Sequence, residues 1–162
     1  MTNSQPLEND KFLRGTQALA AIDGKAGEKV ISALADIAPD FARYLIEFPF
    51  GDIYSRPGLD LRAREIATLA ALTALGNATP QLKVHIEASL NVGLSRAEIV
   101  EVIMQMAVYA GFPAALNGLF AAKEVFASLD GKDKNETADH SGLPCSCSRS
   151  PFRVWRARRK TM

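Results

Sequence analysis

The sequence predicts an all-α protein, a single-domain helical bundle of six to seven helices. From Leu7 to Leu129, apolar residues recur at steps of three and four, which is the period of helices that bury one face. Gly or Pro interrupts this pattern at each break, and no stretch has the convincing alternation of a half-buried strand. A chain of 162 residues is long enough for one domain with a real core.

The first three helices are predicted from apolar spacing and from breaks. The first covers residues 7–21 and the second covers residues 27–37. Pro39 suits the first turn of a third helix, which continues to Phe48. Residues 52–59 contain polar residues, Pro and Gly, and are predicted to form a connecting loop.

The fourth and fifth helices have clear signals at their ends. Asp60 is the predicted N-cap of the fourth helix, residues 61–75, which stops at Gly76. Thr79 is the predicted cap of the fifth helix, residues 80–92, which begins with a proline.

Two further helices complete the predicted domain. Ser95 and Glu98 have the spacing of a capping box, which opens a sixth helix lasting to Ala110. The seventh covers residues 113–129. The domain is therefore placed at residues 1–132. Residues 133–162 are predicted to be disordered, because they are basic, rich in Ser and without a helical period.

The charge distribution restricts the possible partners. All 18 acidic residues lie within residues 1–140, whereas residues 141–162 contain six Lys or Arg. Because nucleic-acid binding by the body would need a basic surface, an acidic body argues against that function. No apolar run approaches membrane length and the start lacks the layout of a secretory signal, so a cytoplasmic protein without a membrane span is expected.

The fourth helix carries two candidate functional residues. Its apolar stripe is formed by Ile66, Leu69 and residues beyond them. Arg62 and Glu65 precede these two residues by four positions each and therefore lie on the same face of the helix. A charge that faces a core without a partner is costly, so both are expected to pair with each other, with another chain or with a ligand.

The fifth helix carries His85, the single histidine of the helical body, at the edge of the stripe formed by Leu82, Ile86 and Leu90. Spacing alone favours a hydrogen-bonded core or boundary residue over a catalytic one. One histidine without a second ligand at helical spacing cannot complete a metal shell, so no metal is expected. Cys145 and Cys147 lie in the tail and are interpreted as having no chemical role.

Residues 59–126 resemble the carboxymuconolactone decarboxylase family, which belongs to the alkylhydroperoxidase D-like superfamily. The resemblance rests on three motifs in the family's order. They are LRARE at residues 61–65, the His85 helix followed by Ala88 and Gly93, and YAGFPAA at residues 109–115.

The resemblance implies an all-α fold that assembles into homo-oligomers such as trimers or hexamers, with active sites near subunit contacts. One branch of the family decarboxylates 4-carboxymuconolactone in aromatic catabolism without a cofactor. Another reduces peroxides with a Cys-x-x-Cys pair, whose positions are occupied here by Ala78 and Gln81. The thiol peroxidase mechanism is therefore excluded for the core site.

For decarboxylation, the resemblance assigns roles to the candidates. Arg62 or Arg64 would orient a dicarboxylate, His85 would act as an acid or oxyanion donor, and Glu65 would hold one of these groups in place. The catalytic candidates are thus His85, Glu65 and Arg62. The substrate-binding candidates are Arg64, Gln81, Gln105 and Tyr109; Gln105 is near the position at which family members can carry a second histidine.

Three functions are compatible with these residues. The first is a cofactor-independent lyase that acts on a small carboxylated lactone. The second is another proton-transfer or peroxide-linked reaction, in which Cys145 and Cys147 would have to reach the site. The third is a non-catalytic helical oligomer whose charged face mediates subunit pairing.

Overall fold

The computed structural model describes the backbone of residues 5–139 and the side chains of residues 10–24 and 27–132. Every regular element in this range is a helix, which confirms the predicted all-α class. No described helix combines the length and the apolar character that crossing a bilayer requires. The elements are α1 (Gln5–Ile22), α2 (Lys25–Leu34), α3 (Pro39–Leu45), a π-helix (Ile46–Tyr54), α4 (Leu61–Leu75), α5 (Thr79–Asn91), α6 (Arg96–Tyr109) and α7 (Phe112–Asp139).

The caps of α4 and α6 are as predicted. The Asp60 carboxylate accepts a hydrogen bond of 2.7 Å from the backbone N–H of Ala63, and Ser95 and Glu98 form both hydrogen bonds of a capping box. The predicted N-cap of α5, Thr79, was wrong, because the N-cap is Ala78 and Thr79 is already helical. Pro80 tolerates this shift, since the first turn of a helix leaves backbone N–H groups without intrahelical partners.

The segment after α3 differs from the prediction. The helix changes to a π-helix at Ile46 and continues to Tyr54, so it includes the first residues of the predicted loop at 52–59. Pro49 lies inside this π-helix. A proline lacks an N–H and its ring clashes with the carbonyl group four residues earlier, and the wider π turn accommodates both effects.

The last helix is longer than predicted. It continues past Leu129 to Asp139 and so includes the first residues of the segment predicted to be disordered. Gly131 does not end it, because one glycine inside a helix costs only about 1 kcal/mol relative to alanine. The rest of that segment, including Cys145 and Cys147, lies outside the described residues.

Two clusters of buried apolar side chains form the core. The larger cluster joins α4, α5, α6 and α7, and the smaller cluster joins α1, the π-helix and α5. α5 takes part in both, through Leu82 and Ile86 on one side and through Ala88 on the other. The larger cluster consists of Leu69, Leu82, Ile86, Leu94, Ile99, Ile103, Ala121, Ala122 and Val125; the smaller consists of Leu19, Ile22, Ile46, Phe50 and Ala88.

The backbone of α1 packs directly against the π-helix. A Cβ atom at Gly51 would lie 2.6 Å from the carbonyl oxygen of Lys11, and one at Gly15 would collide with the carbonyl oxygen of Ile46. Both positions therefore require glycine. The end of α1 is also fixed to α5, because Asn91 Nδ2 donates a 3.0 Å hydrogen bond to the carbonyl oxygen of Ile22.

Candidate active site

Glu65 lies at the centre of the candidate site. It is fully buried on the face of α4 that also buries Leu69 and Thr73. The prediction that Glu65 points inward is confirmed, although Ile66 of the predicted apolar stripe is 37% exposed. Among the residues whose side chains are described, no hydrogen-bond partner reaches Glu65 Oε1.

His85 pairs with this carboxylate across the interface of α4 and α5. Its Nδ1 lies 2.9 Å from Glu65 Oε2. Burial opposes a charged ring, but the hydrogen bond to Glu65 and the charges of Glu65 and Asp23 outweigh burial and raise the pKa of His85 above its usual 6.5. The structure therefore favours an imidazolium that donates from Nδ1 to Glu65, with Nε2 left for another partner.

The partly exposed side of His85 lines a cleft of about 230 Å³. The walls come from α1, α2, α3, the π-helix and the first half of α5, and they are mostly apolar. Among the described side chains, His85 and Asp23 are the ionisable residues of the lining, and Gln81 adds an amide. The described lining residues are Leu19, Asp23, Gly27, Val30, Leu45, Phe50, Pro80, Gln81, Val84 and His85.

Asp23 is a candidate site residue that was not predicted from the sequence. It follows directly after α1, is 8% exposed and lines the same cleft as His85. Burial is the main reason why the pKa of Asp23 is raised to about 6. The charge of His85 lowers this pKa, and the charge of Glu65 raises it. The only sequence signal was the Asp23-Gly24 pair, which indicates the end of a helix and nothing about a cleft.

Tyr54 packs beside the buried pair. Its hydroxyl group lies 2.8 Å from Thr68 Oγ1. Burial raises the pKa of Tyr54 to about 12, the hydrogen bond to Thr68 opposes this, and Glu65 and Asp23 raise the pKa further. Tyr54 therefore remains a neutral phenol near the Glu65 carboxylate.

The two arginines of α4 point away from the cleft. Arg62 donates to the carbonyl oxygen of Gly93 at 2.6 Å and forms an ion pair with Glu98. Arg64 donates to the carbonyl oxygen of Arg56 at 2.9 Å, and its guanidinium lies 5.8 Å from the centre of the Tyr54 ring. The structure therefore does not bring Arg62 or Arg64 to His85 within one chain.

Arg62 connects α4 with the start of α6. Its partner Glu98 belongs to the capping box, and hydrogen bonds from Ser95 together with the Arg62 charge hold the pKa of Glu98 below its usual value. The expectation that Arg62 pairs with Glu65, with another chain or with a ligand is wrong, because its partner is Glu98 of the same chain.

We expect Arg62→Ala to lower the melting temperature slightly and to leave any turnover within about a factor of two, because partly exposed ion pairs contribute little to stability. Thermal denaturation and steady-state kinetics on the same preparation would check this. Lys83→Ala, which removes another exposed ion pair, is the matched control. A large loss of turnover with an unchanged melting temperature would place Arg62 in an active site after all.

The remaining candidates are divided between two places. Gln81 lines the cleft. Gln105 and Tyr109 are exposed on α6, one helical turn apart, and neither lines the cleft. Within the described part of the chain, no group of three or more His, Cys, Asp or Glu residues is arranged to hold a metal ion.

Comparisons with known proteins give one family profile and several relatives. The profile of the carboxymuconolactone decarboxylase family matches residues 39–124. A 4-carboxymuconolactone decarboxylase of Acinetobacter baylyi is 32% identical over 123 residues, which cover 75% of this chain and 91% of that protein. A nitrosuccinic acid decarboxylase of Metarhizium robertsii is 30% identical over 118 residues, 70% of this chain and 80% of that protein.

A third relative, an uncharacterized 15.0 kDa protein of Paracoccus denitrificans, is 34% identical over 114 residues, which cover 70% of this chain and 80% of that protein. The family profile covers more than half of the chain and includes both Glu65 and His85. The chain belongs to the carboxymuconolactone decarboxylase family.

Proposed function

We propose that the protein is a cofactor-independent decarboxylase of a small carboxylated lactone such as 4-carboxymuconolactone. The observation that carries this proposal is the Glu65–His85 pair, in which Glu65 favours the charged form of a histidine at the wall of a mostly apolar cleft. Two relatives named as decarboxylases of different carboxylic acids support the general reaction.

The reaction needs a place for the electrons of the broken bond. In 4-carboxymuconolactone, the ring double bond is conjugated with the lactone carbonyl group. When the carboxylate leaves as carbon dioxide, its bonding electrons enter the ring as a vinylogous enolate. The protein therefore has to bind an anion, stabilise the new oxyanion and allow a proton to reach carbon.

His85 suits the first two of these tasks. In its charged form it attracts a carboxylate, and Nε2 is able to donate a hydrogen bond to the developing oxyanion in a mostly apolar cleft. Pro80 and Gln81, in the first turn of α5, line the same cleft. The positive end of the helix dipole adds to the attraction for an anion.

Among the described residues, no arginine lines this cleft. Arg62 and Arg64 have partners elsewhere, so His85 is the cation that the described lining supplies. Glu65 then has the role of keeping His85 charged and oriented. Gln81 is the remaining polar group positioned to contact substrate.

The direct test is turnover of 4-carboxymuconolactone, followed by loss of lactone absorbance and by release of carbon dioxide. Nitrosuccinate is the second substrate to test, because one relative is named for it. Carbon dioxide release from either compound supports decarboxylation and identifies the better substrate. Absence of release from both would leave the family membership intact and overturn the proposed reaction.

We also propose that the protein forms a homo-oligomer, a trimer or a hexamer, through an apolar face of α6 and α7. Six large apolar side chains on these helices are between 47% and 78% exposed. Such a surface is unusual for a monomer, and a second copy is a suitable partner because it offers the same uncharged face. The residues are Met104, Val108, Tyr109, Phe112, Leu116 and Phe120.

A double variant, Val108→Asp with Phe112→Asp, is expected to convert the oligomer to monomers, because charged groups would be buried in each contact. Light scattering coupled to size exclusion would measure the mass. Ile37→Asp, which changes a similarly exposed residue outside α6 and α7, is the control. An unchanged mass of the double variant would show that subunits associate through another surface.

A further inference from the structure

We propose that Asp23 is a second catalytic residue, which in its neutral carboxylic acid form delivers the proton to carbon after carbon dioxide has left. This inference rests on the proposed decarboxylation and specifies which group completes it. Asp23 lies outside residues 39–124, the part of the chain that the family profile matches.

Asp23 lies in the same cleft as His85. The two residues line it from different elements, Asp23 directly after α1 and His85 within α5. The hydrogen bond from Asn91 to the carbonyl oxygen of Ile22 fixes the residue next to Asp23 against α5. A small substrate that fills this cleft would therefore contact both ionisable groups.

Asp23 also lacks a partner for one of its carboxyl oxygens. It is more than nine-tenths buried, yet its Oδ1 has no hydrogen-bond partner within the described part of the chain. Burying a charged carboxylate without a partner costs much more than burying a neutral carboxyl group. Among the described residues, the charges that act on Asp23 are those of His85 and Glu65, and burial favours the protonated acid most strongly.

His85 and Asp23 are suited to different tasks. The hydrogen bond to Glu65 favours the charged form of His85 and makes it a weaker proton donor, so it is better suited to binding the anion. Among the described residues, no group holds Asp23 in its charged form in this way. After the carbon–carbon bond breaks, the proton of the Asp23 carboxyl group forms the new C–H bond, and the resulting carboxylate is reprotonated from water. The sum is one substrate carboxylate plus one proton giving product and carbon dioxide.

The test compares Asp23→Asn with wild type on 4-carboxymuconolactone between pH 5 and 8.5. We expect kcat to fall by about 10²-fold or more and KM to change little, because an amide cannot deliver the proton. Wild-type kcat should decrease as the pH rises through about 6, where Asp23 ionises, and the variant should lack this decrease. Asp36→Asn, which changes an exposed aspartate outside the cleft, should behave as wild type.

Thermal denaturation shows whether the variant is folded. Because the pKa of Asp23 is raised from its usual 3.8 to about 6 in the folded protein, the stability of the fold decreases as the pH rises from about 4 to about 6 and stays lower above that. Asp23→Asn should therefore melt at a higher temperature than wild type at pH 8, and this difference should shrink at pH 5. Normal turnover by a folded Asp23→Asn protein overturns the role of Asp23 and leaves the decarboxylase proposal standing. An inert wild type overturns the decarboxylase proposal, and the role of Asp23 with it.

Discussion

Replacing His85 with Gln is expected to reduce turnover of the decarboxylation substrate by roughly 10²–10³-fold, the usual effect of removing one oxyanion donor. Glutamine has a similar length and is able to accept or donate a hydrogen bond, but it carries no positive charge. The residual rate should also lose the pH dependence that comes from the imidazolium. Steady-state kinetics from pH 5 to 9 would measure both effects.

The control for His85→Gln is Lys83→Gln, which removes a positive charge two residues away on the same helix. It should retain wild-type kinetics, because Lys83 pairs with Glu124 and does not line the cleft. If both variants have the same activity as wild type, His85 is a structural boundary residue and the sequence-based structural interpretation is correct. Circular dichroism would verify that each variant is folded.

Replacing Glu65 with Gln is expected to impair activity in a manner that depends on pH. The hydrogen bond to His85 Nδ1 is retained by the amide oxygen, but the negative charge that raises the pKa of His85 is lost. The pKa of His85 should therefore fall, since burial then acts with less opposition. At a pH above the wild-type pKa of His85, each unit by which the variant's pKa is lower reduces the imidazolium fraction about tenfold.

The loss of activity in Glu65→Gln should increase with pH. In wild type the pKa of His85 lies above 6.5, so the ring keeps its charge to higher pH than in the variant. The ratio of wild-type to variant activity should therefore increase as the pH rises above 6.5, and it should approach one at low pH. Glu87→Gln is the matched control, because Glu87 lies on α5 outside the cleft. A ratio that does not change with pH would contradict this role for Glu65.

Local sequence signals predicted most of the fold. The bounds of α4 and the capping box of α6 were correct because they depend on neighbouring residues alone. The inward direction of Glu65 followed from its position one turn before Leu69. The π-helix was missed because apolar spacing does not distinguish a π turn at Pro49 from a helix end.

The composition of the site was less predictable, because it depends on packing between distant segments. Arg62 and Glu65 share a helix, yet Arg62 pairs with Glu98, 36 residues later. Asp23 reaches the cleft only because α1 packs on the π-helix and α5. No local pattern around Asp23 indicates this contact, so only the structure identifies it.

The cleft is bordered by the smaller of the two clusters of buried side chains, through Leu19 and Phe50. Local opening of α1 and the π-helix would admit bulk water while the larger cluster stayed packed. Water raises the local dielectric constant, which weakens the interaction between Glu65 and His85 and removes the burial that keeps Asp23 protonated. The electrostatics of the site therefore depend on the smaller cluster of the core. Mild destabilisation is expected to abolish activity before it unfolds the helices.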